Sequence, residues 1–230
     1  MNCFDIEVAS FIGLAAVTGS DVTIDDAAPD DLISILPAFE RLGVRVEING
    51  TSVRVPAGQE LVIQNDIGGQ IPKIEDGPWP AFPADLTSIA LAVATQAVGT
   101  ILIFEKMFEN RLFFVDKLVS MGARIVLCDP HRVVVNGPSR LYGQRMSSPD
   151  IRAGMAMVIA ALAAAGIAAH SAIMTHRVKR LRWPRANRRR NSRALNPSRN
   201  RASGRLNRSE MKRAVSLSVS TASAATRRFI

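Results

Sequence analysis

A chain of 230 residues, 47 % of them apolar, is long enough for one or two domains with their own cores. Its net charge of +9 invites an anionic partner, but residues 1–166 carry 12 Lys+Arg against 19 Asp+Glu, and residues 167–230 carry 17 against one. The basic character belongs to the last quarter alone, so the whole-chain charge gives no ground for a nucleic-acid partner.

The chain opens on "NCFDIEV", which has neither the basic nor the apolar region of a secretory signal, and none is expected. Cys3 and Cys128 show neither metal-ligand spacing nor a disulfide framework. That usage suits a reducing compartment, and a cytoplasmic location is expected.

From Asp5 the pattern is "DIEVASFIGLAAVTG": an acidic start, an apolar and Ala-rich helix, and a glycine stop at Gly19. A β-branched strand follows, "DVTI". A second helix carries Leu32, Ile35, Leu36, Phe39 and Leu42 at helical spacing and stops at Gly43. Two short strands, "VRVEI" and "SVRV", close the unit.

The same order then returns. After the proline-rich approach "PWPAFPA", Asp85 begins "DLTSIALAVATQAVG", which ends at Gly99. "TILI" is its strand, "ENRLFFVDKLVSMG" its second helix, with Gly122 matching Gly43, and "ARIVL" and "RVVV" its closing strands. A third copy begins at Asp150, "DIRAGMAMVIAALAAAG", and then stops matching. The alternation of α and β elements with a closing hairpin makes the fold class α/β or α+β, built of repeated units that bury their apolar helices against one another. Each aspartate is read as the cap of its helix.

The uncharged run 153–169 followed by a basic flank resembles a short membrane span. Its Ala and Gly content and its length favour a buried helix instead, and no membrane partner is expected. Beyond it, residues 167–230 are rich in Arg, Ser and Asn without apolar period. They are expected to form a disordered basic tail, touching nucleic acid only non-specifically. The switch of composition falls inside a repeat, as a change of reading frame in a GC-rich gene would produce.

The repeat, "PAFPAD", "FENR" and "DIR" together resemble the UDP-N-acetylglucosamine 1-carboxyvinyltransferase (enolpyruvyl transferase) family over about residues 4–166. The shikimate-pathway enolpyruvyl transferase shares the repeat, but typically has Lys-Glu-Ser/Thr-Asp-Arg where this chain has "FENR"; it is kept as the alternative enzyme. The resemblance implies repeated βαβαββ units in a lobe with helices inside and sheets outside (an inside-out α/β barrel), here incomplete. Residues 1–166 would be that partial lobe.

The resemblance further implies transfer of enolpyruvyl from phosphoenolpyruvate to the 3-hydroxyl of UDP-N-acetylglucosamine, a step of peptidoglycan synthesis, without metal or cofactor. By motif match Asp85 contacts the sugar hydroxyl and is the proposed base. Met107 matches a position whose backbone meets the nucleotide sugar, and Arg111 a position that could pair with phosphoenolpyruvate. Asp150 and Arg152 match a motif beside the active site. The family's Lys-Asn pair and mobile acid loop have no counterpart here, so the chain alone is expected to be inactive. A contrasting reading is a non-catalytic domain with a nucleic-acid-binding arm.

Overall fold

A computed structural model describes residues 3–148, 150–169 and 181–182, all within one unit that spans Met1–Pro184. Of the expected tail only residues 167–169 and 181–182 are among the described residues.

Three apolar helices form the centre: α1 (Cys3–Thr18), α3 (Thr87–Ala94) and α5 (Ile151–Ala169), each touching the other two. Their composition explains the arrangement. All eight residues of α3 are buried, so no face of it is left for water. On α1 the buried set is Val8, Ala9, Ile12, Ala15 and Ala16, a stripe of helical period. Small residues allow close approach: a Cβ at Gly13 of α1 would stand 3.0 Å from Ile89 Cγ2 and 3.1 Å from Val93 Cγ2 on α3. Among the described residues no helix is long and apolar enough to cross a membrane.

The strands form two four-stranded sheets of matching plan. In the first, β1 (Val22–Asp25) pairs antiparallel with β3 (Ser52–Val55), which pairs antiparallel with β2 (Glu47–Asn49). In the second, β5 (Gly99–Phe104) pairs antiparallel with β7 (Arg132–Gly137), which pairs antiparallel with β6 (Ile125–Asp129). A parallel strand lies on the other side of each central strand: β4 (Lys73–Glu75) beside β5, and β8 (Leu181–Arg182) beside β1. The inward side chains alternate as a half-buried sheet requires, with Ile101, Ile103, Val133 and Val135 inside. The second unit therefore reads β4, α3, β5, α4 (Val115–Ser120), β6, β7, which is the expected βαβαββ order.

The second helices are shorter than their sequence period suggests. In the first unit the pattern divides into a 3-10 turn, Pro29–Leu32, and α2 (Leu36–Arg41). Pro37 has no N–H to donate backwards, so the α-helix can only start around it. The apolar spacing still serves the core: Leu32, Ile35, Phe39 and Leu42 are buried and Leu36 is partly so. The matched glycines after these helices need their left-handed backbone. Gly43 has φ 81° and Gly122 φ 101°, and an added Cβ would come within 2.4 Å of Val62 N and 2.8 Å of Arg140 O.

Candidate active site

The proline-rich approach turns the chain into α3 through a 3-10 turn, Ala84–Leu86, that follows Pro83. Asp85 sits inside this turn. It was expected to cap α3, but among the described residues no backbone N–H donates to its carboxylate. Its carboxylate points instead to two arginines: Oδ1 accepts from Arg111 Nη1 at 2.8 Å and pairs with Arg152 Nε at 2.6 Å. Among the described residues Asp85 Oδ2 accepts no hydrogen bond.

Each arginine is placed by its own segment. Asn110 adopts φ 67°, a left-handed turn that asparagine tolerates, and starts a 3-10 turn at Arg111. The Arg111 guanidinium stacks 4.0 Å over the centre of the Phe108 ring, a cation on an aromatic face. Arg152 lies in the first turn of α5. There Asp150 does what was expected of all three aspartates: its Oδ1 accepts from Arg152 N and Ala153 N, both at 2.8 Å. Ser88 Oγ on α3 donates to Arg152 O at 3.2 Å, tying the two helix starts together. Asp5 lies buried in the first turn of α1.

Three of the five residues singled out from the sequence, Arg111, Asp150 and Arg152, line one recess, and Asp85 is paired with two of them. Met107 stands outside this cluster. Its side chain is half-exposed, and its N–H donates to Asp76 Oδ2 at 3.2 Å, while the neighbouring Lys106 N–H donates to Asp76 Oδ1. Among the described residues no group of three or more His, Cys, Asp or Glu is placed to hold a metal ion.

The recess is lined by Thr87, Ser88, Glu105, Arg111, Asp150 and Arg152 among others. Glu105 was passed over in the sequence, and it is 0 % exposed. A signal for it existed. Ile101 and Ile103 point inward, and Glu105 continues the same parity one step past the strand end. Asp76 does the same after Ile74 on β4. The parallel register pairs Glu75 with Phe104, so one residue on the two carboxyl groups come side by side on the inner face.

The Glu105 backbone is pinned: its N–H donates to His131 O at 2.8 Å and its carbonyl accepts from His131 Nδ1 at 2.8 Å. The Glu105 carboxyl and the Thr87 hydroxyl are buried together beside the Asp76 carboxyl. Burial first, and then the Asp76 carboxylate beside it, push the Glu105 pKa up to about 8; Thr87 and the Arg111 charge pull weakly the other way.

Comparisons with known proteins agree with this architecture. The family model for EPSP synthase (3-phosphoshikimate 1-carboxyvinyltransferase) matches residues 5–180. The chain is 62 % identical to a UDP-N-acetylglucosamine 1-carboxyvinyltransferase of Bradyrhizobium diazoefficiens, over 70 % of this chain and 37 % of that protein. It is 57 % identical to the protein of that name from Treponema denticola, over 70 % of this chain and 38 % of the relative. The chain therefore spans well under half the length of the curated relatives it matches. In fold it is similar to the enolpyruvyl transferase NikO from Streptomyces tendae, with a TM-score of 0.56 at 23 % identity, covering 69 % of this chain and 36 % of that one.

Proposed function

We infer the function from one premise: the chain belongs to the EPSP synthase (3-phosphoshikimate 1-carboxyvinyltransferase) family. We propose that it is part of an enolpyruvyl transferase that moves the enolpyruvyl group of phosphoenolpyruvate to the 3-hydroxyl of UDP-N-acetylglucosamine, a cytoplasmic step of peptidoglycan synthesis. Identity of 56–62 % to relatives of that name supports this acceptor over a shikimate-type one.

One observation carries the proposal. Asp85 Oδ1 is held by two guanidinium groups, and in this proposal Oδ2 meets the incoming hydroxyl. The two arginines fix the carboxylate in place and leave one oxygen to take the hydroxyl proton as the sugar oxygen bonds to C2 of phosphoenolpyruvate. As C3 of the tetrahedral adduct gives its added proton back to the acid that supplied it and phosphate leaves, Arg111 and Arg152 stabilise the negative charge that develops on the departing group. Asp150 acts by fixing the start of α5, and with it the reach of Arg152. The turn at Met107, whose N–H and that of Lys106 are taken by Asp76, presents the edge along which the nucleotide sugar lies. The matched part is 37–38 % of each relative, and the acid for C3 and further cations come from chain beyond that part.

The test is a chimera. The matched segment of the Bradyrhizobium relative is replaced by that of this chain, and phosphate release from phosphoenolpyruvate is followed with UDP-N-acetylglucosamine. Turnover near that of the parent, abolished by Asp85→Asn, is expected; the 230-residue chain alone should give none. A folded but inactive chimera beside an active parent refutes the reading.

A further inference from the structure

Arg111 lines the recess together with Glu105 and is hydrogen-bonded at 2.8 Å to Asp85 beside it. Glu105 is fully buried beside the Asp76 carboxyl and faces the recess that Arg111 lines. A buried carboxyl in that condition is costly unless it keeps its proton or finds a cation. We propose that Glu105 is a positioning residue that decides whether Arg111 is held on Asp85. With its proton on, Glu105 makes no claim on Arg111, and the Arg111–Asp85 pair stands as described. With its proton lost to solvent, the Glu105 carboxylate draws the guanidinium inward, and Asp85 keeps Arg152 alone.

The surroundings fit a single effective switch. From β4 the facing group is Asp76, whose carboxylate accepts from the N–H groups of Lys106 and Met107 and lies beside the Glu105 carboxyl. From the β6–β7 turn, His131 is engaged with the Glu105 backbone and not its side chain. Lys106 turns away to Glu75, with Nζ 3.0 Å from Oε2. From the helix starts come Asp85, Asp150 and Arg152; Asp150 is spent on its cap and Arg152 is on Asp85. Thr87 contributes a hydroxyl only. Arg111 is thus the cation best placed to respond to Glu105. The Phe108 ring under it offers a flat surface over which the fork can slide while keeping its stacking.

The consequence for catalysis rests on the proposed function, which gives Asp85 its substrate, but the rearrangement itself can be read in this chain alone. The experiment is a titration of the full 230-residue chain with 13C-labelled Asp and Glu side-chain carboxyls, from about pH 6 to about pH 10, spanning the midpoint of about 8 expected for Glu105. The Asp85 resonance should show an inflection at the Glu105 midpoint. Glu105→Gln should erase it, and Glu105→Asp should restore one. Asp76→Asn removes the neighbouring charge, so both midpoints should fall together. Should Glu105→Gln fail to fold, Arg111→Gln decides: the Glu105 midpoint rises and the Asp85 inflection vanishes. A flat Asp85 resonance in the unaltered chain, or an inflection that survives either Gln substitution, overturns the proposal. The chimera assay reads activity separately, so either idea can fail without the other.

Discussion

Glu105 makes the stability of this chain depend on pH in a calculable way. The group is an acid whose folded pKa, about 8, lies above its ordinary value of 4.5. Between those values the folded state holds a proton that the unfolded state has released, so stability falls as pH rises through that window. Below 4.5 both states are protonated and there is no penalty; above about 8 the penalty is complete. The gap of about 3.5 pH units corresponds to roughly 5 kcal/mol at ~1.36 kcal/mol per unit. An inward swing of Arg111 would recover part of this, leaving about 3 to 5 kcal/mol, a large share of the ~5–15 kcal/mol that holds an ordinary domain together.

The assay is urea unfolding of the unaltered chain and of Glu105→Gln at intervals from about pH 5 to about pH 9. The neutral amide cannot ionise, so the difference between the two should grow with pH through the window and level off above about 8. Glu7, whose pKa is also raised by burial, is common to both proteins and cancels. Asp21, Glu75 and Asp129 have lowered pKa values through their Arg54, Lys73 and Arg132 partners. Their contributions are lost only as pH falls below the ordinary carboxylate range, outside the window. Parallel stability curves for the two proteins would refute the argument: they would mean that water or a cation already satisfies Glu105.

Other outcomes follow from single contacts. Asp150→Ala removes both capping bonds at the start of α5 and should cost about 1 kcal/mol in chemical unfolding, most of it returned by Asp150→Ser. Gly137→Ala places a Cβ 2.2 Å from Ala97 O and 2.7 Å from Ala94 O. Both are backbone atoms that cannot swing aside, so a loss of about 3 kcal/mol or more is expected in thermal melts. Leu91→Ala on α3 leaves a void where every neighbour is packed and should cost roughly 2–5 kcal/mol. Asp85→Asn breaks only a partly solvated cluster, so stability should move by less than about 1 kcal/mol while phosphate release in the chimera disappears.

Local pattern carried the fold because the fold is made of local repeats. The apolar spacing from Leu32 to Leu42, the paired stops Gly43 and Gly122, and the short β-branched strands each state a backbone preference within a few residues of themselves. The bend at Pro37 was equally visible, yet the apolar period was allowed to run through it. Glu105 and Asp76 were legible too, by parity with Ile103 and Ile74, but only once the strand ends were known to continue inward. What the pattern could not supply is the pairing of β4 beside β5, which turns two separate acids into neighbours.

The three aspartates show where local reading ends. Asp85 and Asp150 hold equivalent places in consecutive repeats, and a capping rule treats them alike. Asp150 obeys it because its helix starts directly after it, with Arg152 N and Ala153 N free to be accepted. Asp85 follows Pro83 into a 3-10 turn, and its carboxylate turns away from the α3 amides toward cations 26 and 67 positions along the chain. One of those cations, Arg152, is placed by the cap that Asp150 makes. The repeat thus uses one aspartate to aim an arginine at the other, and the site exists only at the seam between the second and third units. A residue type repeated at matched positions became two different devices because its neighbours across that seam are different, and no window of sequence around Asp85 alone contains them.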